Sequence, residues 1–226
     1  MPRTPFKTVL KAARDRKGGP RKLEAMLPVP PASPAKLRGL KDDMVLSTLS
    51  KGVFRAGFNW KVVENRWPDI EAAVRGFDPE HLAGYGSEEL EGYLKEPGVI
   101  KNRSRMQACV ENARWLLDVR GEHGSFGKML AKWPSSDIVG LWRKMSDEGA
   151  RIGGSTGPYF LRELGKDTWL PTNSVMAALV VWGVLERPTK GKRNLADAQA
   201  AFNAWHEESG RSYAELSRIL AYSVPD

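Results

Sequence analysis

The sequence has one cysteine and three histidines, and this scarcity excludes several classes of protein. Cys109 alone cannot form an internal disulfide framework, and its apolar neighbours predict a buried thiol. His81, His123 and His206 have no cysteine or acidic partners at metal-ligand spacing, so we predict no structural zinc. No apolar run is as long as a membrane span, and no signal-type apolar segment follows the basic N-terminus. We therefore expect a cytoplasmic protein.

The common catalytic motifs are also missing. The chain has no phosphate-binding Walker loop, no nucleophile elbow, no HExxH and no paired-cysteine motif. The glycines at 153–157 do not form a dinucleotide fingerprint, because no strand precedes them. No function follows from these motifs, so other features must indicate one.

Strand-type alternation and internal repeats are absent too, whereas helical periodicity recurs along the chain. The clearest stripe is Met106, Val110, Ala113 and Leu117. Another short helix is predicted to start at Trp67-Pro68-Asp69. The predicted fold class is all-α, a compact multi-helix domain with short loops.

Positive charge is in excess, with 35 Lys and Arg against 27 Asp and Glu, a net charge of +8 and a pI near 9.6. This balance favours an anionic partner, with nucleic acid first. Prolines and basic residues dominate residues 1–35, which we expect to be an extended arm. That arm either adds phosphate attraction or is simply solvated. Residues 36–226 are predicted to form a single all-α domain.

A glycine-rich stretch at 147–160 is the leading candidate for a nucleic-acid contact. Its glycines permit positive φ, Pro158 suits the first turn of a helix, and N–H groups at a helix start can hold a phosphate. The alternative is a tight turn between two packed helices. On the first interpretation, the residues that bind the nucleic-acid backbone are Arg151, Gly153, Gly154, Ser155, Thr156 and Gly157.

Two further stretches have more than one interpretation. Phe54, Phe58, Trp60 and Trp67 crowd a short region, as core residues or as an aromatic pocket that stacks on a base. The loop at 165–174 is rich in polar residues, and its Thr172, Asn173 or Ser174 would cap the next helix.

Residues 53–114 resemble the bacterial 3-methyladenine DNA glycosylase I family of the helix–hairpin–helix glycosylase superfamily. Residues 149–160 and 166–173 are similar to the hairpin of that superfamily and to the loop after it. The residues that carry the family match are Ala56, Gly57, Phe58, Asn59, Trp60, Arg66, Phe77, Asp78, Pro79, Gly98, Val99, Ile100, Arg103, Gln107, Ala108, Asn112, Ala113 and Arg114.

The resemblance implies hydrolysis of the N-glycosidic bond of an alkylated purine such as 3-methyladenine, after the base is flipped out of duplex DNA. It implies no metal or organic cofactor, and we expect a monomer that binds double-stranded DNA. Trp60 matches the base-stacking tryptophan, with Phe54 and Phe58 as neighbours. Lys166 would contact the DNA backbone, and Asn173 and Asp167 are the catalytic candidates.

Three departures from the family keep other functions open. Gly52 stands where the family has an acidic residue that reads the flipped base, the C-terminal zinc ligands are missing, and Asn173 replaces the superfamily's catalytic aspartate. An amide cannot act as a general base, although it can cap a helix. The alternatives are a catalytically silent DNA-binding protein that recognises damage and a helical interaction protein with incidental charge. We expect no strand cleavage, since no lysine is placed as a Schiff-base nucleophile.

Overall fold

The computed structural model describes residues 4–225, and all of the regular structure in this part of the chain is helical. This confirms the all-α prediction. No helix within residues 4–225 is long and apolar enough to cross a membrane. Two 3-10 helices, Arg75–Phe77 and Ser135–Asp137, accompany fourteen α-helices: α1 (Phe6–Arg16), α2 (Pro20–Glu24), α3 (Pro34–Arg38), α4 (Asp42–Arg55), α5 (Trp60–Ala73), α6 (Pro79–Ala83), α7 (Ser87–Lys95), α8 (Arg103–His123), α9 (Phe126–Lys132), α10 (Ile138–Glu148), α11 (Thr156–Glu163), α12 (Asn173–Val181), α13 (Lys192–Ser209) and α14 (Tyr213–Tyr222).

These helices belong to two compact units. The terminal unit consists of residues 4–32, Pro134–Leu141 and 165–225, and the central unit of Ser33–Trp133 and Trp142–Leu164. The boundary between the units falls inside α10, after Leu141. The division of the chain into an arm of residues 1–35 and a domain of residues 36–226 stays a prediction.

In the terminal unit, the N-terminal segment is helical rather than extended. Phe6, Val9 and Ala13 recur at helical spacing and are buried on one face of α1. The N–H groups of Phe6 and Lys7 donate to the carboxylate of Glu208 at 2.7 and 3.1 Å, which satisfies orphan donors at the start of the helix. The expectation of an extended arm is therefore wrong for residues 6–16. Residues 1–3 of the predicted arm lie outside the described residues.

The central unit is built around α8. Met106, Val110 and Ala113 are fully buried as predicted, and Leu117 is partly buried. The prediction of a core thiol is confirmed, because Cys109 is fully buried and this raises its pKa to about 12.

A glycine sets the distance between two other helices of the central unit. A Cβ atom on Gly127 would lie 2.2 Å from the carbonyl oxygen of Leu37, so the absence of a side chain lets α9 approach α3.

Helix α5 starts seven residues earlier than the expected start at Trp67. Asn59 caps it by accepting a hydrogen bond from the N–H of Lys61 at 3.0 Å, which makes Trp60 the first helical residue. Pro68 lies inside the helix, on its exposed face. There the carbonyl of Glu64 that loses its helical partner can bond to water, so the proline does not end the helix. The predicted helix start at Trp67 is therefore wrong, because Trp67 lies in the middle of α5.

Candidate functional site

A cavity of about 320 Å³ lies in the central unit, between the C-terminal half of α4, the start of α5 and α11. Its volume falls in the range of about 300–1,000 Å³ that is typical of small-molecule sites. The residues that line the cavity are Thr48, Gly52, Arg55, Ala56, Gly57, Trp60, Ser155, Thr156, Tyr159, Phe160 and Glu163.

The local backbone explains why Trp60 reaches this cavity. α4 ends at Arg55, Gly57 turns the chain with a φ of 73°, and Asn59 starts α5. The Trp60 side chain is 53% exposed, so a large part of its ring is available to a ligand. Tyr159 meets that ring edge to face, with centroids 6.3 Å apart. The predicted base-stacking residue therefore lies at a cavity with a second aromatic ring beside it.

Arg55 and Glu163 bring opposite charges to the cavity wall. The Nη1 of Arg55 donates to Glu163 Oε1 at 2.5 Å, and its Nε donates to Glu64 Oε1 at 2.8 Å. Lys51 lies 3.6 Å from the other oxygen of Glu64. The guanidinium carbon of Arg55 is also 5.0 Å from the centroid of the Trp60 ring, within cation–π range.

These ion pairs keep Arg55 and Glu64 in their charged forms. Burial lowers the pKa of Arg55, but its hydrogen bond to Glu64 and its attraction to Glu163 raise that pKa above its ordinary value. The hydrogen bond from Arg55, with the charge of Lys51, lowers the pKa of Glu64. At neutral pH, Arg55 is a cation fixed between two carboxylates.

The two phenylalanines predicted beside Trp60 do not line the cavity. Phe54 is fully buried and packs edge-on against Trp67, so the prediction that it stacks on a base is wrong. Phe58 is 41% exposed, and the guanidinium of Arg105 lies 4.3 Å from its ring centroid. Arg105 also donates to the carbonyl oxygens of Phe54 and Ala56, so it fixes the end of α4 and the turn that carries Phe58.

A buried amide holds the predicted hairpin against α8. Asn112, at 0% exposure, donates to the carbonyl oxygen of Ala150 at 3.0 Å and accepts from the N–H of Ala150 at 2.7 Å. Gly149 leaves room for this contact, since a Cβ there would lie 3.0 Å from the carbonyl oxygen of Met145 and 3.2 Å from Asn112 Oδ1. The hairpin is thus both a packed turn and a presented loop, and the two interpretations of the glycine-rich stretch are compatible.

The outer part of the hairpin is the part that a phosphate could reach. Arg151, Gly153 and Gly154 are exposed, and Arg151 and Gly154 have positive φ values of 57° and 64°. The Nη2 of Arg151 donates to Ser104 Oγ at 2.7 Å. Burial, and then the nearby charge of Arg151, lower the pKa of Arg105, so two cations lie close together here. The contacts predicted between Arg151, Gly153 and Gly154 and the DNA backbone remain predictions.

In the inner part of the hairpin, backbone N–H groups donate hydrogen bonds to carbonyl groups of the hairpin itself. The N–H of Thr156 donates to the carbonyl of Gly153 at 3.3 Å, and that of Gly157 donates to the carbonyl of Ile152 at 3.1 Å. Gly157 is also buried. The predicted phosphate contact is therefore wrong for Gly157, whereas the contact of Thr156, which is partly buried at the cavity, stays a prediction. Ser155 is partly buried at the cavity, and its role in backbone binding stays a prediction.

The predicted catalytic loop belongs to the terminal unit. Both carboxylate oxygens of Asp167 accept backbone N–H groups at the start of α14, from Tyr213 at 3.1 Å and Ala214 at 2.9 Å, which argues against a catalytic role. Lys166 is 5% exposed, and burial lowers its pKa while Asp167 opposes the shift. The predicted phosphate contact of Lys166 is therefore wrong.

Asn173 is exposed at the start of α12, but it is not the cap of that helix. Thr172 caps the helix by accepting from the N–H of Val175 at 3.2 Å. A catalytic role for Asn173 stays a prediction. Within residues 4–225 no group of three or more His, Cys, Asp or Glu side chains is arranged to hold a metal ion.

Sequence reasoning assigned no role in a site to four side chains that shape these sites, namely Arg55, Tyr159, Glu163 and Asn112. A signal for three of them was present. Thr156, Tyr159 and Glu163 are spaced three and four residues apart, which places them on one face of α11. Asn112 is a polar residue inside the apolar stripe of α8, a position that demands a hydrogen-bond partner.

Comparison with solved structures identifies the fold. The fold is that of the all-helical DNA glycosylases: 8-oxoguanine DNA glycosylase of Methanocaldococcus jannaschii matches with a TM-score of 0.54 and 14% identity, over 94% of this chain and 91% of that one. 3-Methyladenine DNA glycosylase I of Staphylococcus aureus matches with a TM-score of 0.50 and 18% identity, over 68% and 91% of the two chains. At these identities the likeness concerns the fold alone.

The family is defined by sequence. The model of the methyladenine glycosylase family matches residues 39–156, more than half of the chain, so the chain belongs to the methyladenine glycosylase family. DNA-3-methyladenine glycosylase 1 of Escherichia coli is 31% identical over 65 residues, which are 29% of this chain and 35% of that protein. The match to this curated relative thus spans about a third of its length.

Proposed function

We propose that the protein is a DNA glycosylase that hydrolyses the N-glycosidic bond of an alkylated purine, with N3-methyladenine as the preferred base. The observation that carries the proposal is the half-exposed Trp60 ring at a cavity of suitable volume. Membership of the methyladenine glycosylase family supports it. The exposed part of the hairpin, with Arg151, Gly153 and Gly154, supports a duplex as the partner.

The chemistry of this substrate suits such a site. Alkylation at N3 gives the purine a positive charge, so the base leaves without first being protonated. Water adds to C1′ of the sugar while the bond between C1′ and N9 breaks with its electron pair going to the base, and the products are the neutral free base, an abasic site and a proton that passes from the water to solvent. The protein has to hold the extruded base against an electron-rich ring and favour an oxocarbenium-like sugar. Trp60 provides the ring.

The test is base release from methylated duplex DNA, with the released bases identified by mass spectrometry. Base–aromatic stacking is worth about 1–3 kcal/mol, so we expect Trp60→Ala to slow release of 3-methyladenine by about 5- to 150-fold. Trp60→Phe should retain most of the activity, because it keeps a stacking ring. Undiminished release by Trp60→Ala would refute the role of this residue.

Met44→Ala is a control for this experiment. Met44 is a 45% exposed apolar residue of α4 that does not line the cavity, so its removal should leave the rate unchanged. Thermal unfolding of all three variants checks that each one folds.

A second candidate function is damage recognition without catalysis. It is favoured by two residues of the loop after the hairpin, because the carboxylate of Asp167 accepts backbone N–H groups of α14 and Asn173 carries an amide instead of a carboxylate. This function predicts duplex binding that weakens steeply with salt, with no base released at any enzyme concentration. The same assay with the unmodified protein separates the two candidates.

A further inference from the structure

We propose that the carboxylate of Glu163 is the group that selects a cationic base in the cavity, and this inference rests on the proposed function. Among the described residues that line the cavity, one carries a carboxylate and one carries a cation, Glu163 and Arg55. All other lining side chains are uncharged. Arg55 and Glu163 therefore provide the charges that act on a base inside the cavity.

The geometry leaves part of Glu163 available to a ligand. Its Oε1 accepts from Arg55 Nη1, whereas its Oε2 has no hydrogen-bond partner within residues 4–225. The side chain is 37% exposed. A carboxylate oxygen of this kind accepts a hydrogen bond from an amino group and attracts a positively charged ring.

Arg55 occupies only one oxygen of Glu163, because its guanidinium is shared between two carboxylates. Its guanidinium is also hydrogen-bonded to Glu64 through Nε and Nη2, and Glu64 does not line the cavity. Lys51 lies 3.6 Å from the far oxygen of Glu64, so two cations and two carboxylates make the group neutral overall, and a ligand in the cavity meets the negative charge of Glu163 locally, at Oε2. Arg55 thus acts as a positioning residue that holds the Glu163 carboxylate at the wall.

The identity of the selected base follows from this arrangement. An N3-alkylated adenine is a cation and presents an exocyclic amino group, so it matches a carboxylate acceptor beside an aromatic ring. A neutral, unmodified purine gains the stacking but not the attraction between opposite charges. Glu163 therefore adds discrimination to the affinity that Trp60 supplies.

The experiment compares Glu163→Gln with two matched variants in single-turnover release of 3-methyladenine from a duplex. Glu64→Gln also breaks an ion pair with Arg55 but leaves the lining of the cavity intact. Glu80→Gln breaks an Arg–Glu pair of the same unit, at 2.7 Å from Arg120, that does not line the cavity. A hydrogen bond to a charged group predicts a loss of about 10- to 100-fold for Glu163→Gln.

The ratio between variants decides the question. A loss in Glu163→Gln that exceeds the loss in Glu64→Gln by tenfold or more, with equal affinities for undamaged duplex, supports the inference. A smaller ratio overturns it, because the role of the pair would then be to restrain Arg55. An inactive unmodified protein overturns the proposed function as well, whereas an active one with an unaffected Glu163→Gln variant overturns this inference alone.

Discussion

Replacement of Asn112 by alanine tests whether the hairpin depends on its buried clamp. Asn112 makes two hydrogen bonds to the backbone of Ala150, at 3.0 and 2.7 Å. Each is worth about 1 kcal/mol net, and a polar group left unsatisfied adds a further penalty of about 1–3 kcal/mol. Because Ala150 is only partly buried, water offsets some of that penalty. We expect a loss of about 2–4 kcal/mol in the free energy of unfolding, and a Tm lower by about 5–15 °C.

The assay combines thermal unfolding with duplex binding at several salt concentrations. The loosened hairpin should present Arg151, Gly153 and Gly154 less well, so affinity for duplex DNA should fall together with the Tm. Gln107→Ala is the matched control, since Gln107 is an amide on the same helix whose bond to Glu111 lies at the surface. Surface changes of this kind alter stability by less than about 0.5 kcal/mol. An Asn112→Ala variant with unchanged Tm and affinity would refute the reasoning.

Two further predictions concern the cavity wall. Gly52→Ala should raise the free energy of unfolding by about 0.5–1 kcal/mol, because Gly52 lies inside α4, where alanine favours the helix. The new Cβ would lie at an ordinary contact distance of 3.5 Å from Thr156 Cγ2. A lower free energy of unfolding in urea would contradict this prediction. Glu64, whose pKa Arg55 lowers in the folded state, contributes stability above the unfolded pKa of about 4.3, and this contribution is lost as the pH falls through the lower, folded pKa. Glu64→Gln should therefore flatten the acid limb of the stability curve, and an unchanged acid limb would show that the pair with Arg55 contributes nothing.

Local patterns in the sequence were sufficient for the fold class and for much of the central unit. The stripe of α8 has the helical period over three turns, and the structure buries three of its four residues fully, as predicted, and Leu117 partly. The same rule applies to Phe6, Val9 and Ala13, but there the surrounding prolines and basic residues dominated the composition. Composition is averaged over a whole segment, whereas burial depends on the residues of one helix face. The spacing of Phe6, Val9 and Ala13 therefore predicts the helix better than the composition of the segment does.

The sites were harder to predict because they depend on contacts between distant parts of the chain. Trp60 could be found from its local motif, but its partners Tyr159 and Glu163 lie on α11, about a hundred residues later. Asp167 illustrates the opposite error. It looked available in the sequence, and only the packing of α14 shows that backbone N–H groups occupy its carboxylate. A candidate residue's chemistry can be read from the sequence, but its availability cannot.

The pair Gly52 and Glu163 shows how a cavity can keep its chemistry while its motif changes. Gly52 lines the wall formed by α4, at the position where the resemblance to the family places an acidic residue, and Glu163 lines the wall formed by α11. The two helices pack together, with the Cβ position of Gly52 at 3.5 Å from Thr156. On the proposal above, selection of a cationic base requires a carboxylate within reach of the extruded base, and either wall can supply it. The absence of an acidic residue at position 52 is therefore not an argument against recognition of such a base, and the activity of the Glu163→Gln variant is the measurement that tests whether a carboxylate on α11 serves this purpose.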